Sequence, residues 1–365
     1  YPELAETPLS ETHGRKLRRI CTEAEYVDRL IETENEFERA YSVAELRERS
    51  AATWLDAMSA FLYAHIEYEG LAARFLNNDT GEEFDVPLLD AWGQNYMEKQ
   101  YARARALDRS IGGGERPSGG EAVASWSQPT TLMLTLTASS VPDGSRLLPV
   151  DHMDQIHDAF SYEGVRDTLR NVAEHHLGLD THEWGYWLQA EPHGAGASAD
   201  PDRSPGKNAC YTHIHVGVYF DRDPVPYSDL EGLAAEFERV IDKHLDVCLA
   251  AGQSAHDYDA IDSYVHDDDG CISLNPDVEN MGSYLASYLG GYDGDLLDRS
   301  VEYIAWGAIY WSAARRRTSR SQIINHAIKA DACHQRAESD QSQQQRNHGD
   351  SVRWNDHHGP DVVCS

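Results

Sequence analysis

The sequence contains very little lysine, and its acidic residues far outnumber its basic ones. Lysine accounts for five of the 31 basic residues, and 62 acidic residues bring the formal net charge to -31. An acidic chain with so little lysine is typical of a halophilic archaeon. At ~1 M salt the Debye length is only ~3 Å, so repulsion between surface carboxylates and a phosphate backbone is largely screened. The negative charge therefore does not exclude DNA as a partner.

Other absences exclude further classes of protein. No apolar run approaches the ~20 residues that span a bilayer, and no signal-peptide pattern is present. We therefore expect a soluble, cytoplasmic protein without a membrane partner. The six cysteines are scattered and form no CxxC pair, which argues against a thiolate zinc site. A glycine-rich phosphate loop of the helicase type is also missing.

Composition and hydrophobic periodicity divide the chain into four regions. We predict a helical N-terminal region at 1–110 with a DNA-binding or accessory role, followed by a Gly-rich linker at 111–120. A domain of strands and helices with C-terminal helices then occupies 121–335, and a flexible polar tail follows at 336–365.

The order of elements after the linker predicts the fold class. Periodicity predicts strands at 130–138, 184–191, 210–220 and 271–275. It predicts helices at 162–177, 227–251, 278–292 and 300–317. This order indicates an α+β fold, in which a compact antiparallel sheet carries helices mainly on one side.

His213 and His215 are the first candidates for chemistry. Residues i and i+2 of a strand point to the same face, so the two imidazoles form a metal clamp while Ile214 points into the core. An ordinary pair of surface histidines is the alternative. If the strands at 184–191 and 210–220 form an antiparallel hairpin, Glu191 lies near both histidines, although a solvated strand end fits it equally well. Two histidines and one carboxylate suit Mg²⁺ or Mn²⁺ that also binds phosphate oxygens.

Three tyrosines follow at helical spacing, namely Tyr284, Tyr288 and Tyr292. On a helix they form one stripe, which is often simply part of a hydrophobic core. Leu285 and Leu289 supply a separate apolar face, however, and leave the tyrosines for another role. A tyrosine hydroxyl facing a metal-bound phosphate can attack phosphorus and form a covalent phosphotyrosine.

Three motifs occur in a characteristic order and spacing. They are the Thr-rich strand from Leu132 to Thr137, the His213-Ile-His215 strand that continues to Phe220, and the helix with Tyr284 and Tyr288. Together they resemble the HUH endonucleases, specifically the rolling-circle replication initiators of haloarchaeal plasmids and viruses. The resemblance covers about residues 95–335. Ser287 stands where family members often carry a lysine, and Tyr288 follows it, so the comparison leaves open whether one or two tyrosines are catalytic.

This resemblance implies a fold, an activity and partners. The fold would be an HUH endonuclease domain, with a central antiparallel sheet flanked by helices and a helical region before it. A divalent metal on His213, His215 and Glu191 would polarise the scissile phosphate of single-stranded origin DNA or a hairpin. Tyr284 would then attack, keeping the 5′ phosphate and freeing a 3′ hydroxyl, and Tyr288 or the 3′ end would rejoin the strand. A host helicase and polymerase would act with it.

The densest basic cluster is the candidate DNA-binding surface. It contains Arg315, Arg316, Arg317 and Arg320 and follows Trp306, Tyr310 and Trp311. Arginine pairs with phosphates, and aromatic rings stack on single-stranded bases. A solvated helix end is the alternative for the same cluster.

Other functions compete with a replication initiator. A relaxase or transposase of the HUH superfamily would share the histidines and the tyrosine. A non-catalytic, metal-containing DNA-binding regulator would tolerate Tyr284→Phe. A hydrolase of small molecules would need a serine or cysteine elbow, which the sequence does not contain.

Overall fold

The architecture is that of a computed structural model. It describes residues 54–69, 71–78, 80–87, 90–111, 126, 129–142, 144–161, 163–192, 210–221, 230–251, 271–275, 281–282, 285–286, 296–299, 301–313 and 315–329. No helix within these ranges is long and apolar enough to cross a membrane. The polar tail and the predicted linker lie outside them, apart from Ile111, which ends a helix, so both stay predictions.

The N-terminal part combines helices with a β-hairpin. Helix α1 spans Trp54–Glu69 and helix α2 spans Gln94–Ile111. Strands β1 (Ala72–Leu76) and β2 (Glu83–Pro87) pair antiparallel between them. The prediction of an all-helical region is therefore wrong at these residues.

Cross-strand side-chain pairs explain why this hairpin forms. Phe75 stacks on Phe84 with ring centroids 5.7 Å apart, and Arg74 is paired with Asp85 at 2.8 Å. Side-chain pairs that lie directly opposite each other stabilise the pairing of antiparallel strands. Gly81 has a φ of 73°, a backbone conformation that glycine adopts without steric cost, and lies in the turn that joins the strands.

The central sheet has five antiparallel strands. They are β3 (Pro129–Leu136), β4 (Trp184–Pro192), β5 (Thr212–Asp221), β6 (Ile272–Asn275) and β7 (Thr318–Arg320), in the order β6-β3-β5-β4-β7. The first four lie within two residues of their predicted bounds. Strand β7 was not predicted, because three residues are too few to show a period. The α+β class and the antiparallel sheet are thus confirmed.

One face of the sheet carries the larger hydrophobic core. Helices α3 (Pro149–Ala159), α4 (Val165–Asn171), α5 (Leu230–Val247) and α6 (Val301–Ser312) contribute to it, and a π-helical turn follows α4 at Val172–His176. The strands contribute alternate residues, among them Ile214 and Val216, both fully buried. Helix α1 also packs against α6, since Phe61 lies beside Gly307. The predicted helix at 300–317 ends earlier, at Ser312.

A smaller core covers the opposite face. Trp187 and Tyr219 are completely buried there beneath α2 and a further helix, α7 (residues 322–329). Met281, Leu285 and Ala286 belong to the same core. Helices thus pack on both faces of the sheet. The prediction placed them mainly on one side, and one face does carry the larger core. Both α1 and α2, from the predicted N-terminal region, contribute to the cores of the sheet domain.

Candidate metal centre

Strand register brings the two histidines and the predicted carboxylate together. In the antiparallel pair of β4 and β5, Glu191 lies opposite His213, and Gln189 lies opposite His215. Directly opposed residues project to the same face of a sheet. The expectation that an antiparallel hairpin places Glu191 beside both histidines is confirmed, and all three side chains lie on the face that carries the smaller core.

The three side chains converge on one point. Nε2 of His215 lies 2.6 Å from Oε1 of Glu191, and Nε2 of His213 is in contact with the same oxygen. The two Nε2 atoms are 3.1 Å apart. The cluster therefore presents two imidazole nitrogens and a carboxylate oxygen as neighbouring potential ligand atoms.

Glu191 is buried, which contradicts the alternative that it is a solvated strand end. Its exposed fraction is 5%, and His215 has 6%. Burial raises the pKa of the Glu191 carboxyl, but hydrogen bonds from His213 and His215 outweigh that effect, and the pKa lies below its ordinary value. Burial lowers the pKa of His215, against the opposing effect of Glu191. These environments favour an ionised carboxylate beside a neutral His215 imidazole, the forms that bind metal.

The donor set fits a divalent cation. Imidazole nitrogen and carboxylate oxygen are ligands of Mn²⁺ and other divalent metals, and carboxylates bind Mg²⁺. The second oxygen of Glu191, Oε2, is buried and makes no hydrogen bond within the described part of the chain. A buried carboxylate oxygen needs a partner, and coordination to a cation would supply one. The identity of the metal stays a prediction.

Thr135 supports the cluster from the neighbouring strand. It lies opposite His215 in the pairing of β3 and β5, and its Oγ1 is 3.1 Å from Nδ1 of His215. A hydrogen bond on one ring nitrogen fixes the orientation of the ring and leaves Nε2 as the potential ligand atom. Sequence reasoning identified the Thr-rich strand but missed this role. The signal was a threonine at the register position opposite the second histidine.

The candidate nucleophiles Tyr284 and Tyr288 lie outside the described residues, but Leu285, which follows Tyr284, is described. A Cβ atom added at Gly217 would lie 2.5 Å from Cδ1 of Leu285, so Leu285 packs directly on this glycine. Gly217 follows His215 by two positions and projects to the same face. The residue next to Tyr284 is thus on the face that carries the cluster.

Helix α2 also contacts this part of the chain, at Gly282, three residues before Leu285. The backbone N–H of Gly282 donates to Oδ1 of Asp108 at 2.8 Å, and Asp108 is 5% exposed. Asp108 interrupts the apolar stripe formed by Ala104, Leu107 and Ile111. A carboxylate in such a stripe was the sequence signal for this contact, and it was missed.

The four predicted DNA-binding arginines differ in their environments. Arg315 pairs with Asp154 at 2.9 Å and Asp158 at 2.7 Å, and Arg316 is exposed. Arg317 is only 6% exposed, and its guanidinium lies 3.6 Å from the ring centroid of Trp92. This burial leaves Arg317 little surface for a phosphate, so it acts mainly in packing. Arg320 is partly buried over the ring of Trp187.

Comparisons with known proteins identify a family that covers most of the chain. The model of a family described as "Putative rep protein (DUF1424)" matches residues 32–344. An "Uncharacterized 36 kDa protein" from Halobacterium salinarum is 31% identical over 274 residues, which cover 73% of each chain. A protein of the same description from Halobacterium sp. (strain GN101) is 30% identical over 64% of this chain and 63% of its own length. No solved structure matches.

Proposed function

The chain belongs to this rep protein family, and from that premise we propose that it is a rolling-circle replication initiator of the HUH type. It nicks and rejoins single-stranded origin DNA through a covalent 5′-phosphotyrosine. The observation that carries the proposal is the convergence of Glu191, His213 and His215 on one face of the sheet. The neighbour of Tyr284, Leu285, packs on that same face.

The residues of the cluster have distinct tasks in this reaction. Glu191, His213 and His215 would hold a divalent cation, which would supply charge neutralisation at the scissile phosphate. Thr135 fixes the ring of His215, and the buried carboxylate of Glu191 holds both Nε2 atoms towards one point. Pre-positioned groups of this kind lower the barrier because they need no reorganisation during the reaction.

Tyr284 is the proposed nucleophile. Its hydroxyl loses a proton to solvent, and its oxygen attacks phosphorus. The bond from phosphorus to the 3′ oxygen breaks, the 3′ oxygen takes up a proton, and the 5′ phosphate stays on the tyrosine. Attack by a 3′ hydroxyl reverses the step and rejoins the strand, and Tyr288 is the candidate for a second round. A host helicase and a polymerase would supply unwinding and synthesis.

The test is a covalent-adduct assay in molar KCl with Mn²⁺. Purified protein is incubated with a labelled single-stranded oligonucleotide that carries the candidate origin, and the products are separated on denaturing gels. We expect an adduct with the wild type and with Tyr292→Phe, the matched control from the same tyrosine stripe. The adduct should be lost in Tyr284→Phe and in the double variant His213→Ala with His215→Ala.

The remaining outcomes distinguish the alternatives. Loss of the adduct only in Tyr288→Phe would keep the enzyme class and change the nucleophile. A wild type that binds the oligonucleotide but forms no adduct with Mn²⁺ or Mg²⁺ would contradict the proposal, and would favour a non-catalytic regulator.

A further inference from the structure

A pocket of about 530 Å³ opens at the β7 edge of the sheet. Helix α2 contributes Tyr96 and Arg103 to its lining, α6 contributes Trp311, and the chain around β7 contributes Arg316 and Arg320. Five arginines and no carboxylate line the pocket among the described residues. In a chain with a net charge of -31, this reversal of sign marks a site for an anionic ligand.

Three of the five arginines at this pocket are available to a ligand, since Arg315 is paired with Asp154 and Asp158 and Arg317 is buried. Within the part of the chain that the structure describes, Arg103, Arg316 and Arg320 form no ion pair. Arg320 instead donates to the neutral Oε1 of Gln100 at 3.2 Å. Burial lowers the pKa of Arg320, and the positive charge of Arg103 lowers it further. Two guanidinium groups that repel each other are stabilised when an anion binds both.

Aromatic rings add a second kind of recognition. Tyr96 and Trp311 are partly buried and line the same pocket. Protein grooves for single-stranded nucleic acid combine positive charge along the backbone with aromatic rings on which bases stack. A simple inorganic anion would use the arginines but not the rings. The volume also falls within the ~300–1,000 Å³ of small-ligand sites.

A row of polar residues links this pocket to the candidate metal centre. Thr318, which lines the pocket, lies opposite Gln189, and Gln189 lies opposite His215. Oγ1 of Thr318 and Oε1 of Gln189 are buried without a hydrogen bond among the described residues. Strands are spaced ~4.8 Å apart, so Thr318 lies ~10 Å from His215 on the same face. A DNA strand whose scissile phosphate is at the cluster therefore has a neighbouring nucleotide within reach of the pocket.

We propose that this pocket holds a nucleotide that flanks the scissile phosphate, with Arg103, Arg316 and Arg320 on its phosphate and Tyr96 and Trp311 against its base. The proposal rests on the proposed nicking function and adds the subsite that positions the strand. Such a subsite matters most at high salt, because long-range attraction is screened there and only close contacts and stacking still hold DNA.

The test measures binding separately from cleavage. Fluorescence anisotropy of a labelled oligothymidylate is followed with the full-length protein in molar KCl and EDTA. The double variant Arg103→Gln with Arg316→Gln should bind about tenfold more weakly, and Tyr96→Leu at least about fivefold more weakly. The control Arg239→Gln removes an exposed charge on α5, a helix that contacts β6 at the opposite edge of the sheet, and should change affinity less than about twofold.

Competition identifies the ligand. Unlabelled oligothymidylate should displace the probe at far lower concentration than thymidine monophosphate, and the monophosphate at lower concentration than inorganic phosphate. Equal potency of the two small anions would overturn the role of the rings. Equal potency of the monophosphate and the oligonucleotide would overturn a DNA subsite in favour of a free-nucleotide site.

The variants also separate this proposal from the nicking function. Affinity of the double variant within about twofold of the wild type, with an unchanged circular dichroism spectrum, refutes the pocket whether or not the protein nicks DNA. Weaker binding by the pocket variants supports the pocket even when the wild type forms no covalent adduct, an outcome that refutes only the nicking function.

Discussion

Thr135 orients the ring of His215 through the contact of its Oγ1 with Nδ1 at 3.1 Å. Thr135→Val keeps the β-branched shape that suits a strand but removes the hydroxyl. We expect the affinity for Mn²⁺ to fall about tenfold, because loss of a partner behind a metal ligand typically costs 10–100-fold. Isothermal titration calorimetry on the purified protein measures this change.

Thr168→Val is the matched control for that experiment. Thr168 lies in α4, and its hydroxyl donates to the carbonyl of Gly164 at 3.5 Å, remote from the cluster. Its metal affinity should equal that of the wild type. An equal loss in both variants would show that Thr135 acts through general stability rather than on His215.

His157 makes stability depend on pH. Its Nε2 is 2.8 Å from the hydroxyl of Tyr310. Burial, followed by the charge of Arg315, lowers the pKa of His157 from 6.5 to about 4, although Asp154 and Asp158 oppose the shift. The unfolded chain takes up a proton first as the pH falls, so the native state loses stability between pH 6.5 and about 4. The loss is on the order of 3 kcal/mol.

His157→Gln isolates this contribution. The variant has no titrating group at this position, so its free energy of unfolding should decline less steeply over the same pH range. Urea titrations of both proteins at constant KCl give the two slopes. Parallel slopes would assign the pH dependence to other groups.

At this scale the sequence predicted the three members of the cluster better than the residues that contact them. His213 and His215 were evident, because alternation in a strand puts i and i+2 on one face. Glu191 required only that two predicted strands form a hairpin. The contacts of Thr135 and Asp108 were not predicted, because each residue contacts one far away in sequence and no local pattern records such pairs.

At the scale of elements, Gly217 sets how closely the chain around Leu285 approaches β5. A Cβ at Gly217 would lie 2.5 Å from Cδ1 of Leu285. Gly217→Ala should therefore push that chain away from the sheet, at a cost of about 1–3 kcal/mol. We expect adduct formation to fall strongly while Mn²⁺ affinity stays unchanged, since the cluster itself is not altered.

A compensating variant checks that explanation. Leu285→Ala alone leaves a cavity and costs about 2–5 kcal/mol. Together with Gly217→Ala it should cost less than the sum of the two, because the smaller side chain makes room for the added methyl group. Strictly additive free energies of unfolding would mean that the two residues are not coupled through contact.

Element prediction succeeded where periodicity was long and failed where pairing decided the structure. Strand β5 alternates over ten residues and α5 repeats over 18, and both were predicted. The hairpin of β1 and β2 was assigned to a helical region, because the pairs that stabilise it, such as Phe75 with Phe84, form across the strands and leave no periodic signal in the sequence. Strand β7 exists because Thr318 and Arg320 pair with β4, and no local signal indicates that partner.

For the whole molecule, the net charge of -31 is the dominant property. Self-repulsion among the carboxylates destabilises the compact state, and salt screens it. We expect the midpoint of thermal unfolding to rise between ~0.1 and ~2 M KCl, over which the Debye length falls from ~10 Å to below ~3 Å. Circular dichroism at a fixed protein concentration measures it.

A charge-reduced variant is the control for this prediction. Glu98, Glu163 and Asp246 are exposed on three different parts of the surface. Replacing them with their amides should raise the midpoint most at low salt and flatten its dependence on KCl. An unchanged dependence would attribute the effect of salt to strengthened apolar burial instead.

The position of β5 in the strand order has a consequence for motion. It is the central strand of β6-β3-β5-β4-β7, with a hydrogen-bonded neighbour on each side and a core on each face. The amide protons of such a strand exchange with solvent only when the whole domain opens, whereas edge strands and termini open locally. His213 and His215 therefore stay in register while other parts of the fold open locally, and their cluster with Glu191 is lost only when the fold is.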